Sequence, residues 1–431
     1  MSDAGLDLRP FRGLRYAQDR VSSLAAVTSP PYDVVVRPDG VHHLETADPY
    51  NIVRLILPHT LDPAARHRQA ADTLRDWRAE GVLARDGQPA LYAYEQRRGD
   101  MLQRGLIGAL RLDGPVLPHE GVVPEIVADR AALMREAAAN LEPLLLTYRG
   151  HDTFATTEPT ATDVLERTIT REPLLATTTE DDFAHRLWAI TDPAELAAVA
   201  ADLGRRDALI ADGHHRWATY LQLRDEHPGE PGWAHGLVLL VDSARYPLQV
   251  RAIHRVLPRL PLGDALARLN GAFRARTVAG PLPRALEALD ALDAAQGNAF
   301  VLSSGPDEFH LLDGADPELL ARTVRTDRPE AWRQLDATVL HSTLFDAVWR
   351  IPDQPSDISY LHSAESAVDQ ARQHGGTAVL MRPVTEETVR GLAGQGVTMP
   401  RKSTSFGPKP ATGLVLRTLD DGTDPSTGPE H

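Results

Sequence analysis

The run Leu209-Ile210-Ala211-Asp212-Gly213-His214-His215-Arg216-Trp217 places a carboxylate, a glycine, two imidazoles and a guanidinium in consecutive positions between an apolar stretch and a helical one. Glycine permits a tight turn, and a helix opening there offers unpaired N–H groups and the positive end of its dipole to an anion. Arg216 adds a fork of donors suited to phosphate oxygens. His214 or His215 can donate to a phosphoryl group while Asp212 orients a ring or accepts a hydroxyl proton. The same residues could instead cap a helix beside a structural Asp–Arg pair; their density in one run favours a site.

Two further clusters carry suitable chemistry. His119-Glu120 is followed by Asp129-Arg130 and later Asn140, and Glu120 is a candidate general base because a shielded carboxylate can have its pKa raised toward neutrality. Its alternative is a solvated Glu120 with Asp129 capping a helix. Met399 to Lys409 holds Arg401, Lys402, Lys409, Ser403, Thr404 and Ser405, a compact set of cations and hydroxyls for an anion, or else a solvated basic loop. Weaker candidates are His254-Arg255, at the end of an apolar strand, and Asn51 with Arg54; each could equally be a structural hydrogen-bonding pair.

The surrounding pattern predicts the elements that position these groups. Asp207 to Ala211 reads as a strand and Trp217 to Arg224 as a helix. Thr28-Ser29-Pro30-Pro31-Tyr32-Asp33 must be extended and non-helical, a buried loop or pocket wall. Asp62-Pro63 predicts the start of a helix of about five turns that stops at Gly81. Leu91 to Glu95 and Gly105 to Leu112 read as a hairpin, Asp129 to Leu146 as a helix, and Gly236 to Val241 and Leu248 to Val256 as strands. Beyond Pro261 the spacing predicts helices over 285–295, 330–348 and 365–374, with strands over 299–303 and 377–381. The expected domains are 1–260, 261–419 with the basic loop, and a disordered tail over 420–431.

The chain has 431 residues, 42% hydrophobic, a formal charge of −15 and no cysteine. These values predict a globular protein of about two or three domains and exclude disulfides, Cys-ligated metals and thiol nucleophiles. An acidic chain repels phosphate backbones as a whole, so no nucleic-acid partner is expected. No leader or long apolar run is read in the sequence, so no membrane partner is expected and the localisation predicted is cytoplasmic. Gly-x-x-x-x-Gly-Lys-Ser/Thr, Gly-x-Gly-x-x-Gly, His-Glu-x-x-His and Gly-x-Ser-x-Gly are all missing, so a phosphate site here needs another design.

Arg9-Pro10-Phe11-Arg12-Gly13, Ser29 to Val34, Asn51 to Leu55, His119-Glu120, Asp129-Arg130, Ala211 to Arg216, His254-Arg255 and Pro400 to Gly413 together resemble the family known as domain of unknown function 1015. The Asp-Gly-His-His-Arg element is similar to that of free serine kinases of the ParB/sulfiredoxin superfamily. The resemblance implies an α+β fold, a mixed sheet with helices around a ParB/sulfiredoxin-like core plus a smaller C-terminal α/β portion. It also implies transfer of a phosphoryl group to free L-serine or a related hydroxyl compound, from pyrophosphate or from a nucleotide such as ATP or ADP. Asp212, His214, His215 and Glu120 are then the expected catalytic groups. Arg216, Arg130, Lys402, Ser403, Thr404 and Lys409 are expected to bind phosphate, and Asp33, Asn51, Arg54, His119, His254 and Arg255 the substrate. Mg²⁺ is expected with a polyphosphate donor; a homo-oligomer is left open. Against the family pattern, Val122, Ile126 and Val127 replace Thr and a Pro-Lys pair, Ala218 replaces an acid, and Ser405 replaces Tyr. The second reading is therefore a non-catalytic ParB-like module that binds a nucleotide or phosphate.

Overall fold

The computed structural model describes residues 5–35, 38–60, 62, 65–150, 158–292 and 297–419. It is an α+β protein of two compact units, the first formed by 1–118, 122–248 and 408–431 and the second by 119–121 and 249–407. The first unit thus ends its central stretch at Leu248, ahead of the Pro261 boundary expected from sequence, and takes back the chain from Pro408. The tail expected over 420–431 lies outside the described residues.

The first unit is built on a nine-stranded mixed sheet. Its order is Val116–Leu117, Ala208–Asp212, Leu144–Tyr148, His235–Asp242, Met101–Arg111, Leu91–Arg98, Ala184–Ile190 and Leu175–Thr178, with Leu8–Arg9 also on Met101–Arg111. The pairs of Ala208–Asp212 with Val116–Leu117 and of His235–Asp242 with Leu144–Tyr148 are parallel and the others antiparallel. Leu144 to Leu146, Ala208 to Ile210 and Leu237 to Leu239 are all 0% exposed, as continuous apolar runs covered on both faces should be. The expected hairpin forms, with Arg98 opposite Met101 across Gly99-Asp100.

Several predicted elements change. The helix expected over Asp129 to Leu146 spans Pro124–Ala137; Ala138 in the left-handed region (φ 44°) ends it, and the apolar run beyond Pro143 is the strand Leu144–Tyr148. The helix expected from Asp62-Pro63 begins later and spans Arg66–Ala79, while Gly81, with φ 73°, does follow its end. The strand expected over Leu248 to Val256 is two strands: Gln249–Arg251 pairs Ser405–Gly407, and His254–Leu257 pairs both Thr377–Leu380 and Ser359–Leu361.

The second unit carries a six-stranded antiparallel sheet, in the order Arg274–Thr277, Glu308–Asp313, Phe300–Gly305, Thr377–Leu380, His254–Leu257 and Ser359–Leu361. Alternate residues feed two cores, Leu257, Phe300, Leu302 and Val379 in one and Val256, Val301, Ala378 and Leu380 in the other. The helix expected over 330–348 is broken into Glu330–Arg333, Asp336–Val339 and a π-helix, Leu340–Trp349. The break falls where Leu335 leaves helical backbone (φ −59°, ψ 133°) and buries its side chain.

Candidate functional site

The site in the first unit grows from the end of the strand Ala208–Asp212. Gly213 follows with φ 97° and ψ 29°, and the helix His214–Glu226 starts at once. A side chain is excluded at Gly213: a Cβ there would lie 2.9 Å from Leu144 Cγ, 3.2 Å from Arg216 Nη2 and 3.3 Å from Arg216 Nε. This turn aims Asp212 back along the first helical turn. Arg216 Nη2 donates to Asp212 Oδ2 at 2.8 Å, and Arg216 Nη1 donates to the Pro143 carbonyl at 3.2 Å.

Asp212 has a second cationic partner, Lys409 Nζ, 2.5 Å from Oδ1. The same ammonium also pairs with Asp33 Oδ2. Lys409 is delivered by the returning segment, which is pinned on both sides. The Pro408 carbonyl accepts from Gln96 Nε2 at 3.2 Å and Gln103 Nε2 at 3.1 Å, and Ala411 N–H donates to Tyr94 Oη at 3.2 Å. Burial works to lower the Lys409 pKa, but the carboxylates of Asp212 and Asp33 outweigh it and the pKa is raised, so the group is an ammonium.

Deeper in the same cluster lies Glu142, which sequence reasoning did not single out. Its Oε1 accepts Tyr32 N–H at 2.9 Å and Thr412 Oγ1–H at 3.4 Å, and Oε2 stands 3.9 Å from Arg216 Nη1. Burial raises the Glu142 carboxyl above its ordinary pKa although Arg216 pulls it down. Arg216 itself is held charged: desolvation opposes the charge, and Glu142 and Asp212 overcome it. The one available signal was a lone carboxylate just before Pro143, ahead of the apolar run Leu144 to Leu146. Tyr32 is pushed up to about 12 by burial, with the cations Arg216 and Arg130 working against that shift. Exposure of the side chains rises from 5% and 6% at Arg216 and Glu142, through 12% at Asp212 and 21% at Lys409, to 34% at Asp33. The charges therefore grade from the buried Arg216 and Glu142 to the more exposed Asp33.

The remaining candidates take identifiable places. His214, the first helical residue, is buried. His215 Nε2 accepts Val123 N–H at 3.1 Å, so its neutral ring carries the proton on Nδ1. Arg130 donates through Nη2 to Asp129 at 2.6 Å and through Nη1 to the Ile56 carbonyl at 2.8 Å, with its guanidinium 4.6 Å above the Tyr32 ring. Asn51, 0% exposed, donates to the carbonyls of Ala26 at 2.7 Å and Thr28 at 3.1 Å and accepts Val53 N–H at 2.9 Å. It braces the loop that carries Tyr32 and Asp33. Arg54 Nη2 donates to the Glu45 carbonyl at 2.6 Å.

His119, Glu120, Lys402, Ser403, Thr404, His254 and Arg255 belong to the second unit. There Thr404 Oγ1 lies 3.0 Å from His119 Nε2 and donates to Glu120 Oε1 at 3.3 Å. Ser403 Oγ donates to the Pro400 carbonyl at 2.5 Å. Arg255 Nη2 donates to the Lys402 carbonyl at 3.0 Å, and burial lowers the Arg255 pKa to about 10. His254 Nδ1 accepts Met381 N–H at 3.2 Å, and burial, aided by Arg255, brings its pKa down to about 4.

Among the described residues no group of three or more His, Asp or Glu is arranged to hold a metal ion. The Asp33–Asp212 pair, which could contribute to an Mg²⁺ site, is bridged by Lys409. With Lys409 on both carboxylates, this pair does not fit a protein-held Mg²⁺. Among the described residues no helix is long and apolar enough to cross a membrane.

A family model described as "Protein of unknown function (DUF1015)" matches residues 8–338. No curated protein matches the sequence significantly. Similar solved structures include free serine kinase in complex with AMP, at 16% identity and a TM-score of 0.34, covering 72% of this chain and 91% of that one. A conserved hypothetical protein from Pyrococcus furiosus matches at 16% identity and a TM-score of 0.35, over 73% of this chain and 97% of that one. A truncated SbnI from Staphylococcus aureus matches at 11% identity and a TM-score of 0.35, over 74% and 90%.

Proposed function

The chain belongs to the DUF1015 family, and from that premise we propose that it is a small-molecule phosphotransferase acting on the hydroxyl of L-serine or a related compound. The observation that carries this reading is Asp212 at a strand–glycine–helix turn with Arg216 on one carboxylate oxygen and Lys409 on the other. Phosphoryl transfer asks the protein for cations that spread charge, an aligned acceptor and a base, and little covalent chemistry. Arg216 and Lys409 supply fixed positive charge, and Asp212 is the base that would take the acceptor's hydroxyl proton. His215 is a positioning residue, since its Nε2 is committed to Val123 N–H. An Mg²⁺ ion accompanying a polyphosphate donor would enter with it.

The test is phosphorus NMR of the protein with Mg²⁺ and L-serine, and with pyrophosphate, ATP or ADP in separate tubes. A new phosphomonoester signal, lost in Asp212→Asn with the fold retained, is expected; full transfer by that variant removes Asp212 from the mechanism. The binding-module reading draws on one observation, that Lys409 and Arg216 already have their charges answered by Asp33, Asp212 and Glu142. A donor that raises the Tm and is never consumed would favour it.

A further inference from the structure

We propose that Lys409 is the resident cation of this site, occupying with its ammonium the position between Asp33 and Asp212 that a divalent metal ion would otherwise take, and that a neutral residue at 409 converts the pair into a divalent-metal site. The inference concerns the same residues as the proposed transfer and assumes that they form a working site. Its test reads metal binding, so either idea can fail without the other.

An ammonium carries three donors and no acceptor, and two of its directions are taken by carboxylates of different elements, Asp212 at a strand end and Asp33 in the proline-braced loop. That is the task a bound Mg²⁺ or Mn²⁺ performs in phosphate-handling sites, where one or two carboxylates hold the ion and water or substrate oxygens complete the shell. Here the chain makes the cation part of its own covalent structure. Pro408 and Pro410 flank it, and the hydrogen bonds from Gln96, Gln103 and Ala411 fix its backbone on either side, so the charge is preorganised.

Charge arithmetic gives the consequence of removing it. Asp33, Asp212 and Glu142 face Lys409 and Arg216 as their close cationic partners; Arg130, which acts on Glu142 through space, donates directly to Asp129. Removing the ammonium takes from Asp33 and Asp212 the cation that both contact. Asp33, 34% exposed, stands at the accessible end of the cluster with Asp212, 12% exposed, behind it, so an ion would enter past Asp33. Carboxylate oxygen is the ligand type that hard divalent ions select.

The experiment is electron paramagnetic resonance of Mn²⁺ titrated into the full chain without phosphoryl donor, where binding removes the sharp signal of the free ion. Wild type is expected to take up no Mn²⁺ at this site, while Lys409→Met takes up about one ion per chain, a gain abolished by adding Asp33→Asn. Lys409→Arg, which keeps the charge, should behave as wild type. Circular dichroism checks the fold, and Lys409→Gln should show a Tm that rises with Mn²⁺ even if it is less stable than wild type. Two results overturn the proposal: Mn²⁺ bound by wild type and released by Asp212→Asn, or no gain of Mn²⁺ in folded Lys409→Met or Lys409→Gln. If neither neutral variant folds, the wild-type measurement with Asp212→Asn still decides whether an ion occupies the position.

Discussion

Adding one methyl group at Gly213 should cost the first unit more than its backbone angle alone explains. With φ at 97°, an alanine there carries a left-handed backbone penalty of about 1–2 kcal/mol. The Cβ would also meet Leu144 Cγ at 2.9 Å, and Leu144 is 0% exposed in the central sheet and has nowhere to move. The softer neighbour is Arg216, whose Nη2 and Nε would lie 3.2 and 3.3 Å from the methyl. Yielding there disturbs its 2.8 Å bond to Asp212. Overpacking of this kind adds about 1–3 kcal/mol, for a total of about 2–5 kcal/mol. Gly229 is the matched control, since its φ is 84° and nothing lies within 4 Å of a Cβ built on it. Gly229→Ala should cost only the backbone part. Denaturant unfolding of both variants isolates the steric part as their difference, with Tm shifts of roughly 2–4 °C per kcal/mol as a second readout. Gly213→Ala should also lose phosphoryl transfer or donor binding, while Gly229→Ala keeps it. Equal stabilities within about 0.5 kcal/mol, with the site's activity intact, would refute the argument that this turn is built around the absence of a side chain.

Glu142→Gln should flatten the pH dependence of stability. Burial raises the Glu142 pKa in the folded state, so its contribution is intact below the unfolded carboxyl pKa and is lost as pH rises through the folded value; the variant should keep that stability toward neutral pH. Parallel wild-type and variant stability curves from acid to neutral pH would count against it. Asn51→Ala removes three hydrogen bonds that hold 26–28 to the start of the helical turn Val53–Ile56, a loss of about 2–4 kcal/mol in denaturant unfolding. A change below about 0.5 kcal/mol would mean that solvent replaces those bonds.

The turn at Asp212-Gly213 was legible because the chemistry and the geometry sit in the same few residues: an apolar strand must end, only glycine accepts φ 97°, and Arg216 is one helical turn from Asp212. The hairpin over 91–111 was legible for the same local reason. Leu144 to Leu146 misled because a short apolar run fits a buried strand or a buried helix equally well, and its neighbours in the sheet decide between them. The single strand read over Leu248 to Val256 failed likewise, since its two halves pair with strands more than a hundred residues downstream.

By itself, then, the sequence determined the family resemblance, which in turn implied the α+β class, and the residue types able to handle a phosphate, because short motifs carry both. Tertiary structure alone decided that Lys409, almost two hundred residues beyond Asp212, stands 2.5 Å from it and also pairs with Asp33. It decided as well that Glu142 is buried against Arg216 and that Arg130 donates to the carbonyl of distant Ile56. Local pattern specifies which groups a chain carries, but the partners of a buried charge are set by which distant segments fold against it, where low dielectric makes each such pairing count.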